Sequence, residues 1–140
     1  MEKRKVLSEV ALNKIPPDTI ITNGTVFNVF TREFIGRQSI WIKDGMIAFV
    51  GPDPHPLKDN ETLVVDAEGQ VLLPGLINGH TYIFERSGME ELIKHAIPSG
   101  VTTIVTETLE IGTIAGREGI EYFVGELARN TSLPMKNFCL

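Results

Sequence analysis

Hydrophobic and polar positions divide the chain into three stretches of different rhythm. Met1 to Pro17 mixes charges with Val6, Leu7, Val10, Ala11 and Leu12, and predicts a short helical turn that ends before Pro16-Pro17. From Thr19 the apolar positions become β-branched or aromatic: Ile20, Ile21, Val26, Phe27, Val29 and Phe30, broken by Asn23-Gly24, which reads as a turn between strands. Ser39 to Val50 repeats the pattern around Asp44-Gly45, the strongest hairpin signal in the sequence. Gly51 to Pro56 holds three prolines without amide donors and reads as a loop. Thr62 to Asp66 and Gln70 to Leu73 flank Ala67-Glu68-Gly69 as a further strand pair, so the first half predicts a small all-β sandwich.

After Pro74-Gly75 the rhythm changes. Leu76-Ile77 opens a buried strand, Met89 to Ile97 reads as a helix and Val101 to Thr106 as a second buried strand, which together make a βαβ unit. Arg117 to Arg129 carries Ile120, Phe123, Val124 and Leu127 at helical spacing, and Met135 to Leu140 reads as the opening of a third strand. Alternating strands and helices imply a doubly wound sheet or a barrel. The expected organisation is a lead-in segment at 1–17, a small β-sandwich-like domain at 18–73, and an α/β part at 74–140 that stops within its architecture.

Composition narrows the functional classes. With 140 residues, 42% hydrophobic and 22% charged, the chain belongs to the globular class. A net charge of −5 and the lack of any basic run beyond Lys3-Arg4-Lys5 argue against a nucleic-acid partner. The single cysteine, Cys139, excludes an internal disulfide and a cysteine-based zinc site, which makes a reducing cytoplasm the expected setting. No apolar run reaches the roughly 18 residues of a membrane span, and no export signal opens the chain, so no membrane partner is expected. Gly112, Gly116 and Gly119 are too widely spaced for a phosphate loop.

The chemistry concentrates in two segments. Leu73-Pro74-Gly75-Leu76-Ile77-Asn78-Gly79-His80-Thr81-Tyr82 resembles the P-G-hydrophobic-I-D-x-H-x-H signature of metal-dependent amidohydrolases. In that frame two histidines alternate along the first barrel strand and face one metal, because side chains repeat every second position. Here His80 takes the first place, Tyr82 the second, and Asn78 replaces the preceding aspartate. A phenol with an ordinary pKa of about 10 is a poorer ligand for a divalent ion than an imidazole. Ile97-Pro98-Ser99-Gly100-Val101-Thr102-Thr103-Ile104-Val105-Thr106-Glu107-Thr108-Leu109-Glu110-Ile111 is similar to the adenine deaminase stretch L-P-H-G-x-T-T-V-V-A-D-P-H-E-I, and Asn23 to Thr31 and Ile42 to Gly45 resemble the same family's small-domain strands.

This resemblance implies an N-terminal composite β domain followed by the first βα units of a TIM-type barrel, here incomplete, since such a barrel takes about 250 residues. It implies a divalent metal (Mn, Fe or Zn), with His80 and Glu110 as remnant ligands and Glu110 as the catalytic carboxylate. The inherited reaction would convert a purine substrate, adenine, to hypoxanthine and ammonia through a metal-activated water. Leu109 replaces a histidine beside Glu110, Glu107 an aspartate and Thr108 a proline, and Glu85 is assigned no role.

Without that frame, His80 reads as a hydrogen-bonded strand-end histidine, Glu107 as a polar strand-end residue, His55 as solvated in its proline loop, His95 as lying on an exposed helix face, and Cys139 as a small apolar side chain. The altered ligands predict little or no activity for the chain alone. The alternatives are a non-catalytic fragment or binding protein derived from an amidohydrolase, with a homo-oligomer covering the unfinished barrel edge, and another cyclic-amide amidohydrolase.

Overall fold

The computed structural model describes residues 2–52, 55–82, 89–129 and 136–139. These fall into two units, Met1–Pro74 and Gly75–Leu140. The first begins with α1 (Glu2–Ala11), followed by β1 (Thr19–Asn28), β2 (Glu33–Lys43), β3 (Met46–Pro52), β4 (Leu63–Asp66) and β5 (Val71–Leu72). Asn13, with φ 57°, ends α1 in the left-handed conformation that suits a helix C-cap. Its amide N–H donates to the Val10 carbonyl at 2.8 Å, and its side-chain oxygen accepts from the Leu57 amide at 2.7 Å, which ties the proline loop to the helix end.

One sheet of order β3-β2-β1-β4 results, with β5 also paired to β1. The Asp44-Gly45 hairpin is present as read, both residues having positive φ as a two-residue turn requires. Asn23-Gly24 is not a turn. It lies inside the continuous strand β1, where the register with β2 shifts on either side of Gly24. Asn23 at φ 55° makes this a bulge, and a Cβ on Gly24 would collide with the Leu72 side chain.

The second expected hairpin is also corrected. β4 and β5 do not pair with each other; both lie parallel to β1, β4 along Thr19–Thr22 and β5 along Thr25–Val26. Gly51 and Pro52, read as loop, extend β3 instead, because β3 is the edge strand and its outer side needs no amide donor. The expected sandwich is, among the described residues, this single sheet with α1 packed on it. Val10, Ile20 and Trp41 are fully buried there, flanked by Ile15, Ala48 and Phe49. The Trp41 indole N–H donates to the Ser39 hydroxyl at 3.1 Å, so the buried ring is both packed and hydrogen-bonded.

The second unit contains β6 (Leu76–Thr81), α2 (Met89–Ala96), β7 (Val101–Thr106), α3 (Leu109–Arg129) and β8 (Lys136–Cys139), with parallel strands in the order β6-β7-β8. Ile93 of α2, Ile104 of β7 and Phe123 of α3 form its core. A Cβ on Gly75 would strike the Thr102 side chain, so the entry to β6 requires glycine there. Helix α3 starts at Leu109, earlier than the Arg117 start expected from spacing, and kinks at Gly116 (φ 59°, ψ −152°). No helix among the described residues is long and apolar enough to cross a membrane.

Two measurements check the first unit. Trp41→Ala is expected to cost about 3–5 kcal/mol, read by circular dichroism as a lower urea midpoint; Trp41→Phe, which keeps a ring against Phe49, is expected to cost less. Asp18 accepts from Lys43 Nζ at 2.6 Å and from the Asp44 amide at 2.8 Å, and these bonds hold its carboxyl below the ordinary carboxylate range. A carboxylate pKa lowered by folding contributes stability above the unfolded value of about 4 and loses it as pH falls through the folded value. The melting temperature is therefore expected to fall below about pH 4, with a shallower fall in Asp18→Asn.

Candidate functional site

Parallel pairing of β6 with β7 brings Thr81 opposite Thr106. Thr106 is fully buried and its hydroxyl donates to the Thr81 carbonyl at 2.9 Å, so the C-terminal ends of the two strands are fixed side by side. Each chain leaves its strand carrying a titratable group: His80 and Tyr82 around the end of β6, Glu107 just past β7.

Asn78 engages the backbone of this strand. Its side-chain oxygen accepts from the His80 amide at 3.2 Å, a bond to backbone two residues on that competes with the sheet ladder, and the β6–β7 register is irregular between Asn78 and Thr81. The His80 and Tyr82 rings meet edge to face with centroids 4.9 Å apart. His80 Nε2 lies 3.7 Å from Glu107 Oε1, with side-chain exposures of 53% and 28%, an ion pair when the imidazole is protonated and one open to solvent.

Glu110 stands elsewhere in the local structure, in the first turn of α3, where the positive end of the helix dipole favours a carboxylate. Among the described residues no three His, Cys, Asp or Glu side chains converge, so Glu110 does not join His80 and Glu107 in one cluster. His95 pairs with Glu91 at 3.2 Å on the exposed face of α2. Glu85 and the side chain of Cys139 lie outside the described residues. Glu107, read from sequence as an ordinary strand-end residue, is the carboxylate that meets His80. The available signal was positional: in a parallel pair, residues following neighbouring strands emerge at the same edge.

A pair of divalent ions requires several imidazole and carboxylate ligands. This strand end offers one imidazole, already facing a carboxylate, and a phenol, and that donor set does not fit a two-metal divalent centre. The first unit's open sheet face holds an apolar groove of about 530 Å³, lined among others by Val26, Ile35, Ile40, Ile47, Val50 and Leu72, and none of the site residues lines it.

No protein-family model matches the sequence. An adenine deaminase of Ruegeria sp. strain TM1040 is 44% identical over 117 residues, 81% of this chain and 19% of that protein. Among solved structures, the β-aspartyl dipeptidase of Fervidobacterium islandicum AW-1 is 28% identical with a TM-score of 0.63, covering 86% of this chain and 32% of the other. The N-acyl-D-glutamate deacylase of Bordetella bronchiseptica, solved with zinc, is 25% identical with a TM-score of 0.53, over 66% of this chain and 19% of the other. The chain is similar to a stretch of adenine deaminases and spans about a fifth of the length of the curated relatives it matches.

Proposed function

We propose that this chain forms the leading part of an adenine deaminase-like hydrolase, its first unit serving as the small β domain and Gly75–Leu140 as the opening βα units of a barrel. The observation that carries the reading is 44% identity to an adenine deaminase over 81% of the chain. The parallel order β6-β7-β8, with α2 and α3 between the strands, is in keeping with it. Barrel enzymes place their chemistry at the C-terminal ends of the strands. His80, Tyr82 and Glu107 stand at that end here.

The reaction is the hydrolytic exchange of the adenine amino group: water adds to the purine carbon that bears it, the tetrahedral adduct loses ammonia, and hypoxanthine remains. In this reading Glu110 is the carboxylate that carries a proton to the departing amine. The chain supplies one imidazole at its strand end, so catalysis is assigned to a polypeptide carrying later strands.

A second reading, a non-catalytic protein on the same scaffold, is favoured by Tyr82 standing where the family frame has a histidine. Two measurements separate them. The intact mass of the native polypeptide in its own cells is expected well above 15.5 kDa, and a mass near that value would favour the second reading. The 140 residues assayed alone are expected to release no ammonia from adenine. Substituted for the matching stretch of the Ruegeria enzyme, they are expected to lower turnover by about 100-fold or more, with Tyr82→His recovering part of it. Turnover by the isolated 140 residues would sink the assignment to a longer polypeptide.

A further inference from the structure

Asparagine followed by glycine occurs twice in the chain, at Asn23-Gly24 and Asn78-Gly79. In such a pair the backbone nitrogen of the second residue can attack the side-chain carbonyl carbon of the first, because glycine has no Cβ to obstruct the approach. We propose that Asn78 is a site of spontaneous deamidation in the folded chain, and that the fold withholds the same reaction from Asn23.

The two pairs are held in opposite ways. Asn78 Oδ1 accepts from the His80 amide at 3.2 Å, which folds the side-chain carbonyl back over the Asn78–Gly79 peptide as in a tight turn. The same N–H stands at the oxygen on which negative charge develops when the nitrogen adds, and a donor placed there lowers the barrier. Gly79 is exposed, a Cβ on it would meet nothing within 4 Å, and the β6–β7 register is irregular between Asn78 and Thr81, so a ring has room to close. Asn23 lacks that room. Its side-chain amide donates to Asp66 Oδ1 at 3.1 Å, its backbone carbonyl accepts from the Gly69 amide at 2.8 Å, and Gly24 is buried with the Leu72 side chain against it. Ring closure at Asn23 would break the bond to Asp66 and disturb the seat of β5 on β1.

Water is the sole co-reactant. Solvent base takes the Gly79 amide proton, a bond forms between the Gly79 nitrogen and Asn78 Cγ, the Cγ–Nδ2 bond breaks, and ammonia leaves with a proton from solvent. Water then opens the cyclic imide, and nothing is oxidised or reduced. Opening at Cγ leaves aspartate, the residue that the amidohydrolase frame has at this place. Opening at the main-chain carbonyl leaves isoaspartate, whose extra backbone carbon lengthens β6 ahead of Thr81. Either product adds a negative charge to the strand that carries His80.

The inference does not rest on the deaminase reading, and its test needs no activity. The 140-residue chain is incubated in warm, mildly alkaline buffer and digested at intervals, with a parallel sample kept unfolded in urea. Tandem mass spectrometry locates each deamidation as a gain of about 1 Da. In urea the two pairs are expected to convert at similar rates, since both are then flexible Asn-Gly sequences. In the folded chain Asn78 is expected to convert about tenfold faster than Asn23 or more. Asp66→Ala, which removes the acceptor of the Asn23 side chain, should narrow that ratio, whereas Gly79→Ala should slow Asn78 by about tenfold with Asn23 unchanged. Three results would each overturn the proposal: Asn78 keeping its amide in the folded chain while the urea sample converts, Asn23 converting as fast as Asn78 in the folded chain, or undiminished conversion of Asn78 in Gly79→Ala.

Discussion

The buried hydroxyl of Thr106, donating to the Thr81 carbonyl, is the contact on which the chemistry of the second unit depends. A parallel strand pair can slide, and a slip of one residue turns every side chain to the opposite face. A polar group with no exposure must be satisfied, and the shorter of its two bonds, to Thr81 at 2.9 Å against 3.4 Å to the neighbouring Glu107 carbonyl, is the one that crosses between the strands. That register is what sets Glu107 beside His80. It also places Ile104, two residues before Thr106, in the core between α2 and α3, so packing and site geometry are fixed by the same alignment.

The residues that match the family frame and those that depart from it differ in kind. Gly75 and Gly100 are kept, and each answers a demand of the backbone: Gly75 because Thr102 leaves no room for a Cβ, Gly100 because its φ is 82°. The departures, Asn78, Tyr82, Glu107 and Leu109, lie within β6, just past β6 and β7, and at the first residue of α3, where no close backbone approach fixes the residue type. A scaffold can therefore stay recognisable while its ligand chemistry changes. Asn78 departs with a consequence of its own, since its amide oxygen now engages the chain two residues on.

Much of the architecture was legible in the sequence, and the misreadings have physical causes. Asp44-Gly45 and the β6-α2-β7 alternation were readable because turn chemistry and apolar period agreed there. Asn23-Gly24 carries the same left-handed preference as a turn, yet a bulge uses that conformation equally well, and what separates them is the approach of Leu72, distant in sequence. The first half of α3 was hidden because Gly112, Thr113 and Gly116 are poor helix formers. In the site, the family frame directed the reading to His80, Tyr82 and Glu110, whereas the pairing of His80 with Glu107 follows from a strand register that no single segment encodes.

Strand β1 has one further consequence, for the order in which the molecule assembles. Its two edges are completed by very different stretches of chain: β2 lies just beyond it, but β4 and β5 arrive only after the hairpin and the proline loop have been made. Local pairings close quickly and distant parallel ones slowly. On the ribosome, β1 to β3 can therefore form a three-stranded meander while the other edge of β1 stands bare, until Leu63 to Asp66 and then Val71 and Leu72 emerge and Leu72 settles against Gly24. The bulge that looks like an irregularity in the finished sheet is the seat its last strand requires.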